Sequence, residues 1–170
     1  ISDSFKNWRG MENSGGRRIK RAVIIKLNSV KYLSQNEVDK LSKIDLLGEY
    51  LKNRSSDIDS FNSKNNINKE LLINGRNLTN IGVFRKYVET YIENHSAINK
   101  DMMIMTRQLA PTTQGLPIEI YAFSSDKRWQ NYEYIMADIF DHIIAAVPYF
   151  DLEIFELPTD LASFKDSNLH

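Results

Sequence analysis

Residues 78–95, LTNIGVFRKYVETYIENH, set Ile81, Phe84, Tyr87, Val88, Tyr91 and Ile92 at intervals of three and four, which predicts a helix with one continuous apolar face. Such a face has to be covered, and what covers it decides the fold. Thr79 or Asn80 is placed to cap its start. A second stretch of the same kind, KRWQNYEYIMADIFDHIIAAV (127–147), repeats Trp129, Tyr132, Ile135 or Met136, Ile139 or Phe140, and Ile143 or Ile144 at helical spacing. Asp126 is its expected cap and Pro148 its stop.

The cover comes from short runs with strand character. IKRAVIIKL (19–27) is rich in β-branched residues and follows Gly15 and Gly16. DMMIMTRQLA (101–110) and LPIEIYAFSS (116–125) flank PTTQG, where Pro111 and Gly115 supply turn chemistry, so this region predicts a hairpin. DLEIFEL (151–157) predicts a last strand. Between the first strand and the 78–95 helix, SQNEVDKLSKIDLLGEYLKN (34–53) predicts a helix through Val38, Leu41, Ile44 or Leu47, and Leu51, capped by Ser34 or Asn36 and weakened by Gly48. NRSSDIDSFNSKNNIN (53–68) is dense in Asn and Ser and predicts a long surface loop.

With the 34–78 segment set aside as an insertion, the order is strand, helix, strand, strand, helix, strand. This is an α+β pattern of ferredoxin-like βαββαβ type, with two helices on one face of a four-stranded sheet. The expected division is 1–14 as a preceding strand and linker, 15–158 as the α/β unit, and 159–170 as a tail. The chain opens on Ile1, so it reads as a piece of a longer protein.

Composition narrows the chemistry. Lys and Arg number 22, as do Asp and Glu, so there is no whole-chain positive field to gather phosphates. The chain has no cysteine, which excludes disulfides, thiolate catalysis and cysteine metal sites. No run approaches the roughly 20 apolar residues of a spanning helix. Asp138, Asp141 and His142 in DIFDH form the one ligand-like group, but two carboxylates and an imidazole do not close a site, and an Asp138–His142 surface pair is the expected arrangement. No G-x-S-x-G elbow is present, and SGGRR lacks both phosphate-loop spacings and precedes a strand where those motifs follow one. The chain is therefore not expected to be an enzyme or to hold a cofactor. The triplets at Asn53, Asn77 and Asn94 are what so Asn- and Ser-rich a chain produces by chance.

Tyr121 and Phe123 share one face of a predicted strand, as the base-stacking aromatics of RNA-recognition sheets do. PIEIYAFS nonetheless lacks the basic residue and glycine expected at its start and places Glu119 on that face, so packing within the sheet or against another subunit is expected instead. A soluble ferredoxin-like module for RNA or a small ligand is the alternative reading.

The segments FKNWRGM, SGGRRIKR, LTNIGVFRKYV, RQLAPTTQGLPIEIYAF, DIFDH and PYFDLEIFELPT, in that order, resemble the cytoplasmic part of the small-conductance mechanosensitive channel family, in its YbdG-type miniconductance branch. The resemblance implies a fragment of a bacterial inner-membrane channel that opens under tension in hypo-osmotic shock. It lies on the cytoplasmic side, with the membrane helices in the part not included. It implies a homo-oligomer, seven subunits forming a vestibule with side portals, to which the fragment contributes assembly, solute filtering and modulation of gating but not conduction. Alone, the fragment is expected to be monomeric or to assemble weakly at micromolar concentration, with no nucleic-acid partner. On this resemblance Trp8 closes the last strand of a middle β-domain. Gly15, Gly16, Arg17 and Arg18 form the joint to the α/β domain, with the arginines meeting acidic or carbonyl partners at an interdomain or subunit seam. The insertion at 34–78 is longer than in the family prototype.

Overall fold

The computed structural model describes residues 15–157; residues 1–14, including Trp8, and residues 158–170 lie outside that range. In chain order the elements are β1 (Arg17–Ile25), α1 (Gln35–Leu41), α2 (Gly48–Lys64), α3 (Asn80–Glu93), β2 (Met105–Gln108), β3 (Leu116–Ser124) and α4 (Trp129–Ala146). They form a mixed α+β unit in which the described strands make an antiparallel sheet of order β1-β3-β2.

The alternation in β1 and β3 sets the register. Ile19 faces Ala122, Val23 faces Ile118 and Ile25 faces Leu116, so these side chains share one face of the sheet. All are buried in one core with Phe84, Val88 and Ile92 of α3 and Met136, Ile139 and Ile143 of α4. Phe150, just after α4, meets the Phe84 ring edge-on at 5.4 Å. A one-residue slip of β1 would turn its apolar set out of this core, which is why the register is held. The expected hairpin is present: Thr112 and Gly115 exchange backbone hydrogen bonds, and Gly115 takes a φ of 144° where a Cβ would lie 2.4 Å from the Ile25 carbonyl oxygen.

Three expectations are corrected. The last strand, expected over 151–157, is reduced to one antiparallel bridge between Ile154 and Ile25, flanked by Lys26 N–H to the Glu153 carbonyl and Phe155 N–H to the Ile24 carbonyl, both 2.8 Å. Asp151 turns the chain with a left-handed φ of 53°, and β1 has already given way to a 3-10 turn at Leu27–Ser29, so only the end of β1 lies alongside. Secondly, the single helix expected over 34–53 is two. Ser34 caps α1 in a capping box with Glu37, whose carboxylate is held down at about 2, first by the Lys31 ammonium. The chain then breaks at 42–47 and restarts at Gly48. Thirdly, the stretch read as a polar loop is mostly α2, whose thin buried stripe of Leu51, Ile58 and Asn62 was too sparse to register as a helix.

The insertion is joined to the sheet unit through Asn80. Its side chain is wholly buried; Oδ1 accepts from Lys31 N–H at 2.9 Å, and Nδ2 donates to the carbonyls of Ser29 and Phe150 at 2.9 and 3.0 Å. One amide thus fastens the turn after β1, the start of α3 and the turn after α4. Asn80→Ala strands those backbone groups, and we expect it to lower unfolding free energy by about 3 kcal/mol, read as a drop in the urea midpoint at unchanged slope. A loss below about 1 kcal/mol would show that the amide is not holding the junction.

Candidate functional site

Four of the residues assigned to the joint, Gly15, Gly16, Arg17 and Arg18, meet at the open end of the β1–β3 ladder; Trp8 lies outside the described residues. The arginines are not in the linker: both belong to β1, paired with Ser124 and Phe123. Gly15 has φ 91°, a conformation an L side chain resists, yet nothing lies within 4 Å of the place its Cβ would take. Gly16 is the reverse case. A Cβ there would fall 2.2 Å from the Met102 sulfur and 2.9 Å from the Phe123 Cβ. The two glycines are required for different reasons, backbone conformation at one and space at the next.

Around them the strand head is fastened on two sides. The Tyr132 hydroxyl, in the first turns of α4, donates to the Arg18 carbonyl at 2.7 Å, and burial raises its pKa above the ordinary tyrosine value. The Arg17 guanidinium lies 4.2 Å from the centre of the same ring, a cation–π contact. Ser124, fully buried, donates to the Asp126 carbonyl at 2.8 Å and lies 3.4 Å from the Arg17 carbonyl. Asp126 is not the direct cap of α4. Its carboxylate accepts from Arg128 and from the Asn131 amide, and the Arg128 guanidinium holds it well below the usual carboxylate range. Arg128 takes the cap position without a side-chain bond. The expected acidic or carbonyl partner of the arginines is, for Arg17, an aromatic face. Sequence reasoning missed Tyr132 and Met102 because their contacts lie far along the chain.

This arrangement offers no nucleophile or acid–base pair. The head of β1 is tied across the ladder to β3 and, through the Tyr132 hydroxyl, to α4.

The other sequence candidates are placed as follows. Asp138 and His142 do not pair with each other. Asp138 Oδ2 lies 2.9 Å from His95 Nε2, and His95 Nδ1 accepts from Ala97 N–H, which puts the His95 proton on Nε2. His142 lies 2.6 Å from the Tyr87 hydroxyl and stacks on Tyr91 at 4.0 Å between centroids. Among the described residues no group of three or more His, Asp or Glu is placed to share a metal ion. Tyr121 and Phe123 meet edge to face at 5.6 Å, and Phe123 is 3% exposed, so of the two only Tyr121 offers ring surface. Glu119, on the same face, is buried and held by Arg107 Nε at 2.8 Å. The insertion adds a cleft of about 890 Å³ between α1, α2 and the loop that follows. No protein-family model matches the chain.

Gly16→Val is expected to lose about 2 kcal/mol through overpacking, and Gly15→Asn well under 1 kcal/mol, because Asn tolerates positive φ and the space is open. Urea unfolding of both variants measures this; a Gly16→Val chain as stable as the parent would show that Met102 and Phe123 do not enclose the joint.

Proposed function

We propose that this chain is the cytoplasmic vestibule domain of a bacterial tension-gated channel of the small-conductance mechanosensitive family, in its YbdG-type branch, with a ferredoxin-like α/β domain joined at Gly15–Gly16 to a middle β-domain. The observation that carries the reading is where the resembling segments fall. SGGRRIKR spans the joint and the head of β1; LTNIGVFRKYV opens α3; RQLAPTTQGLPIEIYAF is the β2–β3 hairpin; DIFDH lies in α4; PYFDLEIFELPT runs into the bridge on the free edge of β1. With Ile154 bridged to Ile25 and the sheet ordered β1-β3-β2, the arrangement supports the 4-1-3-2 order of a ferredoxin-like sheet.

In this reading the chain conducts nothing. Among the described residues no helix is long and apolar enough to cross a membrane, and in the proposed family the pore helices belong to a separate region of the channel. The domain is a wall of an oligomeric vestibule at the cytoplasmic face of the inner membrane, and the anchored head of β1 is the place where movement of the middle domain enters it.

The test is electrical. Full-length protein, expressed in a strain lacking other such channels and recorded in excised patches, is expected to give stepwise currents under suction. Absence of tension-gated current, or an upstream gene region without runs of roughly 20 apolar residues, contradicts the proposal.

A further inference from the structure

The cleft of about 890 Å³ that the insertion builds is lined along α2 by Ser55, Ile58, Asp59, Asn62 and Ser63. Their spacing of three and four puts them on one flank of the helix. Ile58 and Asn62 are buried, whereas among the described residues the side chains of Ser55, Asp59 and Ser63 make no hydrogen bond or ion pair within the chain. A flank that only closed against its own chain is expected to be apolar. Leu33, Val38 and Leu78 supply an apolar wall to the same cleft. An apolar wall with a few polar groups beside it, at this volume, has the make-up of a small-molecule site.

The charges of the cleft narrow the ligand. Among the described residues three charged ones line it, Asp59, Lys69 and Arg76. Lys69 is already committed: its ammonium donates to the carbonyls of Leu72 and Asn74 and to the Asn77 side chain, one acceptor for each proton. Arg76 is held by its backbone, since the Asn62 side chain accepts from its N–H at 2.9 Å and donates to its carbonyl at 3.1 Å. Its guanidinium meets the Phe61 ring at 5.5 Å and, among the described residues, no carboxylate. Asp59 likewise meets no cation. The cleft therefore holds one uncommitted carboxylate on α2 and one uncommitted guanidinium on the loop that follows, not paired with each other.

A simple anion would meet Asp59 without compensation, and a simple cation would meet Arg76. A ligand carrying both charges satisfies both walls. We propose that this cleft binds a short zwitterionic peptide of two or three residues with apolar side chains. Its ammonium end lies at Asp59 and its carboxylate end at Arg76, the carboxylate and guanidinium matching as two parallel hydrogen bonds. Its side chains rest on Leu33, Val38 and Leu78, and Ser55 and Ser63 are at hand for its amide groups. A free amino acid carries both charges on one carbon and fills little of this volume, whereas a peptide sets its ends apart by roughly 3.5 Å per residue. The proposal stands on the cleft alone and does not use the channel reading.

The probe is L-leucyl-L-leucine, titrated into the chain and followed by amide NMR. Saturable binding with a dissociation constant of about 1 mM or tighter is expected, with the shifted signals confined to residues 33–38 and 55–78. Acetylating the amino end of the peptide, or amidating its carboxyl end, is expected to weaken binding about tenfold in each case. Asp59→Asn is expected to weaken the free dipeptide to the same degree and leave the acetylated one unaffected; Arg76→Gln does the same with respect to the amidated one. Neither variant is expected to shift the urea midpoint, because Asp59 makes no bond in the chain and Asn62 holds only the backbone of Arg76. No saturable binding, blocked peptides that bind as well as the free one, or free leucine that binds as tightly as the dipeptide overturns the proposal. Because this experiment uses no membrane, a failure here leaves the electrical test standing, and a failure of that test leaves this site standing.

Discussion

Nine residue pairs between β1 and β3, from Arg17–Ser124 to Ile25–Leu116, join positions 91 to 107 residues apart in the chain. Every other placement depends on this ladder. It sets Ile19, Val23 and Ile25 beside Leu116, Ile118 and Ala122 on one face, and only that face is broad enough to cover the apolar stripes of α3 and α4. Closing so long a loop costs chain entropy that grows only slowly with length, so the 34–78 insertion can be accommodated without forfeiting the sheet. Arg17 and Arg18, at the head of β1, are thereby held as part of the sheet.

The insertion departs from the sheet after β1 and returns at α3, and its points of departure and return are held by the buried Asn80 amide together with the Tyr32–Thr79 bridge and the backbone bonds Leu33 N–H to the Leu78 carbonyl and Asn80 N–H to the Lys31 carbonyl. Beyond this fastening it follows its own rules. α1 is fixed by a capping box, α2 by a narrow buried stripe, and the loop after α2 by a lysine ammonium surrounded by carbonyl oxygens. An appendage built in this way can present side chains outward without disturbing the core. Leu71 and Ile73, in the loop after α2, are such side chains.

What was legible in the sequence follows from how local its causes are. α3 and α4 were readable because a wide apolar stripe repeats every turn, and the β2–β3 hairpin because Pro111 and Gly115 sit between two β-like runs. α2 was hidden, because Leu51, Ile58 and Asn62 make too thin a stripe to outweigh its serines and asparagines. The last strand was over-read, since pairing depends on where β1 ends and not on the composition of 151–157. At the joint, the glycines were conspicuous but their reasons were not. Gly16 is enclosed by Met102 and Phe123, and Arg17 rests on Tyr132, contacts made across the fold. The Asp138–His142 pairing failed for the same reason: His95, 43 residues away, takes Asp138.

The β1–β3 ladder, on which the other elements rest, is the last structure to open, and the insertion loop is an early one. Native-state hydrogen exchange followed by NMR measures this residue by residue. The ladder amides of β1 and β3 are expected to exchange only through global unfolding, with one shared free energy, while amides of residues 65–78 exchange through cheaper local opening. Exchange of the β1 amides below the global value, at the level of the insertion loop, would contradict it.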